Sequence, residues 1–130
     1  MLLGLKTDNP TAELYLMQTD GTLLASKVWE ADRQLARFLL REITIFLEEQ
    51  KCALSDLEGL AVFRGPGSFT GLRIGLTVAN SLAYSLVIPV VGEGGDGWKE
   101  QAVRRLADGE DEQVVLPEYG APARITTQKK

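Results

Sequence analysis

The apolar run Gly59-Leu60-Ala61-Val62-Phe63 passes directly into a loop with three glycines, Arg64-Gly65-Pro66-Gly67-Ser68-Phe69-Thr70-Gly71, and a second apolar stretch free of proline follows. A short apolar run bounded by turn residues reads as a buried strand. The stretch that follows is long enough for a helix, predicted over residues 70–86, and a short strand is predicted at 89–91. A buried strand, tight turn, helix and strand in this order require a sheet covered by helices, which is an α/β layer.

The upstream sequence extends that sheet. Residues 1–6 are short and apolar and end in the turn-forming cluster Thr7-Asp8-Asn9-Pro10. Segments 12–18 and 23–29 flank Thr19-Asp20-Gly21, and Asp-Gly between apolar runs is a strong hairpin signal. Residues 32–49 carry helix formers without glycine or proline, with Asp32 placed as the cap. The predicted architecture is a single α/β domain over residues 1–107. Its mixed sheet has three antiparallel strands followed by helix, strand, helix and strand. Past Gly92, a glycine-rich connector leads to a short amphipathic helix at 98–107. Residues 108–130 are predicted to be an extended or partly disordered tail, and 116–130 in particular lack the apolar content to offset ordering entropy.

Composition then limits the chemistry. A chain of 130 residues removes roughly 65 to 70% of its unfolded-state surface on folding and needs no disulfide staple. The single cysteine, Cys52, together with the lack of a leader-like start, points to a cytoplasmic location. No apolar run approaches a membrane span. There is no histidine, which removes the imidazole base and the histidine-ligated metal from consideration. A formal net charge of −4 disfavours autonomous nucleic-acid binding. No catalytic residue, metal ligand or cofactor is therefore assigned from composition.

Two features ask for a partner or a packing reason. On a helical projection of residues 32–49, Leu35, Ala36, Leu39, Leu40, Ile43, Phe46 and Leu47 span about 140°, and Phe38 and Ile45 widen the arc to about 220°. A helix resting on one sheet needs about half of that, so either a second helix of this chain or a partner covers the rest. The second predicted helix is apolar nearly all round, and Gly71 and Gly75 leave a strip on which another helix can approach closely. The glycine-rich loop admits two uses, an anion cradle or a tight structural turn. The turn is favoured, because no lysine with serine or threonine follows Gly71 and the third glycine of a dinucleotide fingerprint is absent.

The run Arg64-Gly65-Pro66-Gly67-Ser68-Phe69-Thr70-Gly71-Leu72-Arg73-Ile74-Gly75, continued by an alanine-containing helix and by Pro89-Val90-Val91-Gly92, closely resembles the bacterial TsaB family, also called YeaZ. The resemblance covers the first 92 residues, and Leu116-Pro117-Glu118-Tyr119 is more weakly similar to the family's C-terminal tail. It implies an actin/Hsp70-like (ribonuclease H-like) fold. It also implies a non-catalytic role beside the threonylcarbamoyltransferase TsaD in making threonylcarbamoyladenosine next to the tRNA anticodon.

In that family the two helices pair with those of TsaD or of a second copy. The implied interface here is Leu35, Leu39, Ile43, Leu72, Arg73, Ile74, Gly75, Val78 and Leu82. TsaE is a further partner the resemblance raises, and a homodimer is expected for the isolated chain.

Lys6 stands where the superfamily usually carries a phosphate-site aspartate, and Leu35 replaces a common histidine. The short helix stands where the family has a second domain, so the chain reads as an internally shortened member. The alternative reading is a residual nucleotide-binding phosphotransferase or peptidase-like enzyme, with Ser68 or Thr70 as nucleophile.

Overall fold

The computed structural model describes residues 1–118, apart from the side chain of Asp32. Strands β1 (Leu2–Lys6), β2 (Thr11–Met17) and β3 (Leu23–Glu30) lead into helix α1 (Leu35–Glu49). Strand β4 (Gly59–Gly65), helix α2 (Phe69–Leu86), strand β5 (Val90–Gly94) and helix α3 (Trp98–Ala107) follow. One five-stranded sheet has the order β3-β2-β1-β4-β5. Its first three strands pair antiparallel, and β4 pairs parallel with β1 and with β5.

Local chemistry explains most boundaries. In the β2–β3 turn, Gly21 takes φ +94°, and the exposed Asp20 carboxylate accepts the Thr22 amide at 2.9 Å. That bond is the main reason the Asp20 carboxyl sits below its ordinary range. The α-helix starts later than residue 32. Asp32–Gln34 form a 3-10 turn closed by Gln34 N–H to Ala31 O at 2.8 Å, and Gln34 occupies the position before α1. Ser68 caps α2, accepting the Gly71 amide.

Successive strand residues face opposite sides, so two cores form. Leu3, Leu5, Leu14, Leu16, Val62 and Val90 face α1 and α2, meeting Leu35, Leu39, Ile43, Phe46, Leu76 and Ala79. On the other face Leu2, Met17, Ala61, Phe63 and Val91 meet Trp98, Ala102 and Val103 of α3. Trp98 sits edge-on to Tyr15 and Phe63, with ring centroids 6.1 and 5.8 Å away.

Residues 108–118, part of the tail expected to be extended or partly disordered, run without helix or strand and are tied to the sheet. They form a strap along the free edge of β5. Glu112 N–H donates to Val90 O at 2.9 Å, while the Asp111 and Glu112 carboxylates accept the Val90 and Gly92 amides. Arg105 of α3 clamps the same edge, reaching Gly92 O at 3.0 Å, Glu93 at 2.8 Å and Glu112 at 3.1 Å. Val115, 1% exposed, plugs into the α1/α2 core beside Gly92, whose missing Cβ leaves the slot. An unpaired strand edge needs donors and acceptors: the two carboxylates supply the acceptors, and the Glu112 amide and the Arg105 guanidinium supply the donors. The remainder of the expected tail, 119–130, lies outside the described residues.

Asn80 ties the strap to α2 through both amide atoms, donating to Val115 O at 3.1 Å and accepting Val115 N–H at 2.9 Å. Asn80→Ala orphans both backbone groups. It is expected to cost about 1–2 kcal/mol and to speed hydrogen exchange at Val115 without changing exchange in β1.

Candidate functional site: the glycine loop and the helix face

The loop after β4 is built around the turn after β1. Gly67 lies against Asp8, where a Cβ would fall 2.4 Å from Asp8 Cβ, and Ser68 N–H donates to Asp8 O at 2.8 Å. At Gly71 a Cβ would meet Thr7 O at 2.3 Å, and at Gly75 it would meet Thr7 Oγ1 at 2.1 Å. Thr7 is 2% exposed, and its hydroxyl donates to Gly71 O at 2.8 Å. Gly65, at φ +128°, leaves room for Glu118 O, and Arg64 reaches back to Glu112 at 3.3 Å. Each glycine thus has a packing reason. The protein's own Thr7-Asp8 segment packs directly against Gly67, Gly71 and Gly75.

Neighbouring chemistry agrees. Lys6 pairs with Asp8 at 2.5 Å and lies 4.6 Å from the Phe63 ring centroid, so its charge is already engaged. Ser68 Oγ is used in the cap of α2. Burial and then the Asp56 carboxylate push the Cys52 thiol up, away from thiolate.

The nine residues expected at a partner interface separate into two groups. Leu35, Leu39, Ile43 and Leu72 are each at most 4% exposed, and Gly75 is buried against Thr7. These five belong to this chain's own interior, a correction with a plain cause: α1 and α2 turn those faces to the sheet. Ile74, Val78 and Leu82 are half-buried at the margin of the core, and Arg73 is exposed. The wide apolar arc of α1 is covered only in part by α2, since Leu40 remains 50% exposed.

Ala36, Phe69, Thr70, Arg73, Ile74, Thr77 and Val78 line an open groove of about 350 Å³ between the two helices. Leu40 and Phe69, not among the nine, are large hydrophobic residues left exposed on α1 and in the first turn of α2. Leu40 sits at the edge of the helical arc rather than its centre, and Phe69 lies in the loop motif, 54% exposed with Arg73 over its ring at 5.2 Å.

Comparison with known proteins agrees with this fold. A family model for tRNA N6-adenosine threonylcarbamoyltransferase matches residues 29–93. The tRNA threonylcarbamoyladenosine biosynthesis protein TsaB of Bacillus subtilis (strain 168) is 34% identical over 89 residues, covering 68% of this chain and 38% of that protein. The tRNA N6-adenosine threonylcarbamoyltransferase of Syntrophotalea carbinolica is 50% identical over 46 residues, covering 35% of this chain and 14% of the enzyme.

Among solved structures, YeaZ from Pseudomonas aeruginosa superposes with a TM-score of 0.65 at 35% identity, covering 72% of this chain and 43% of that one. Thermus thermophilus RuvC, at 14% identity and a TM-score of 0.54, shares the ribonuclease H-like fold over 91% of this chain and 83% of its own. The chain thus spans well under half the length of the TsaB and YeaZ relatives it matches. With the Arg64–Gly75 motif, the strand order and these matches in agreement, the chain belongs to the TsaB/YeaZ family.

Proposed function

We propose that this chain serves in tRNA threonylcarbamoyladenosine biosynthesis as a non-catalytic subunit that docks on a TsaD-like transferase through the exposed side of α1 and α2. The observation that carries this reading is the half-covered apolar strip of Leu40, Ile74 and Val78 beside a groove, on helices whose opposite faces are already committed to the core. Exposed apolar surface of this kind marks association. The enzymatic alternative draws no support from the loop, because Ser68 caps a helix and the glycines pack protein backbone.

The test is light scattering on this protein mixed with the transferase from the same source. A one-to-one complex is expected. Ile74→Glu is expected to abolish it by placing an unpaired charge in a dry contact. The variant is expected to stay folded, because its stem can lie along the half-exposed site while the carboxylate reaches water. Retained binding by that folded variant would reject the surface. Absence of any complex with the unaltered chain would reject the role.

A further inference from the structure

The apolar strip is edged by cations that have no ion-pair partner among the described residues. Arg33, Arg37 and Arg41 recur every fourth residue on the solvent side of α1 and its preceding turn, all exposed. In helical geometry that spacing puts them about 6 Å apart along the axis. The Phe38 ring lies 5.1 Å from the Arg37 guanidinium and 5.8 Å from that of Arg41, which holds both along the helix surface. Arg73, over Phe69, is the single charged side chain of α2.

Among the described residues, none of these four arginines has a carboxylate within 4.0 Å, whereas Lys6, Lys27, Arg64 and Arg105 each have at least one. The acids of α1 lie elsewhere: Glu42 is paired with Lys27 at 2.7 Å, and Glu48 and Glu49 stand at the helix's far end. The helix face is therefore locally positive on a chain of net charge −4.

Resting on the docking role above, we propose that this face selects a partner helix with an apolar ridge flanked by carboxylates, and that the same arginines hold a second copy of this chain off the strip. A second copy docked face to face brings four arginines against four like charges, with no facing acid to neutralise them. An acidic-flanked helix pairs every one of them, and complementarity of this kind governs partner choice and encounter rate. The homodimer expected from the sequence is thus disfavoured on this surface. Nucleic acid fits less well, because the face also carries the apolar Leu40, Ile74 and Val78, which a phosphate backbone cannot cover.

The test compares the unaltered chain with R33Q/R37Q/R41Q in three measurements. Binding to the transferase is expected to weaken at least tenfold in 50 mM NaCl and to lose most of its salt dependence. Sedimentation equilibrium is expected to show stronger self-association in the neutralised variant. A synthetic amphipathic helix with a leucine ridge and glutamate flanks is expected to bind the unaltered chain, while its lysine-flanked counterpart does not.

Equal peptide binding and unchanged self-association would overturn the proposal. So would binding of bulk tRNA at 150 mM NaCl that disappears in the variant, since the face would then read phosphate. If the transferase fails to bind while the glutamate peptide and self-association behave as stated, the docking role falls and the charge selection stands. Circular dichroism melts of both chains check that the exposed substitutions leave the fold intact.

Discussion

Leu39→Ala is expected to lower the unfolding free energy by about 3 kcal/mol and the melting temperature by about 10 °C. Leu39 is 0% exposed and sits in the cluster of Leu35, Ile43, Phe46 and the sheet, where α1, α2 and the strap leave little room for collapse around the missing atoms. Urea denaturation gives the loss directly. The same substitution is expected to leave transferase affinity within about threefold when measured well below the melting point. Ile74→Glu behaves in the opposite way, losing the complex with at most about 1 kcal/mol of stability. If Leu39→Ala instead kept its stability and lost the complex, α1 would present that face outward, and the burial described above would be wrong.

Gly75→Ala is expected to destabilise the chain by about 2 kcal/mol despite the better helix propensity of alanine. Propensity in a helix interior favours alanine by about 1 kcal/mol. Against that, the new methyl would fall 2.1 Å from Thr7 Oγ1, and overpacking at a closed contact costs about 1–3 kcal/mol or more. Thr7→Ala removes the offending oxygen and leaves Thr7 Cβ at 3.1 Å, at the price of the hydrogen bond to Gly71 O. The pair is therefore expected to be coupled. Gly75→Ala in the Thr7→Ala background should cost at least about 1 kcal/mol less than alone. Gly71→Ala supplies the control, because it meets the Thr7 backbone carbonyl at 2.3 Å, which no Thr7 side-chain change can move. Equal coupling at both glycines would show that the loop moves as a body rather than clashing locally.

The helix face shows why a sequence pattern locates a surface only approximately. The apolar arc of α1 identified an element with more hydrophobic surface than one sheet covers, and Leu40 at 50% exposure is the excess. The arc's centre, Leu35, Leu39 and Ile43, faces the sheet, and its edge meets α2 and then solvent. A projection records the width of an arc and is silent on which part a neighbour takes. The arginine row was equally present in the sequence. That no described carboxylate reaches it became visible only when the carboxylates of β3, α1 and the strap were placed in space.

The loop tells a similar story with a different cause. Its glycines announced a tight turn between strand and helix, but not what the turn packs against. Thr7 and Asp8, some sixty residues earlier, fill it because β1 and β4 are parallel neighbours whose C-terminal ends emerge together. The strap was the least legible element. Asp111 and Glu112 lie in an acidic stretch with Val115 just beyond it, in a segment expected only to be extended or partly disordered; its contacts with the free edge of β5, the slot at Gly92 and the amide of Asn80 are long-range.

The sequence by itself determined the element order, the β2–β3 turn at Asp20-Gly21, the two apolar helices and, through the Arg64–Gly75 motif, the family. These rest on local physics, in which turn chemistry and hydrophobic period act within a few residues. Tertiary structure decided which apolar residues are core, what packs against the glycine loop, where the strap lies and which arginines have no carboxylate beside them among the described residues. Those outcomes depend on contacts between residues distant in the chain, and no local pattern encodes which partner a side chain will meet.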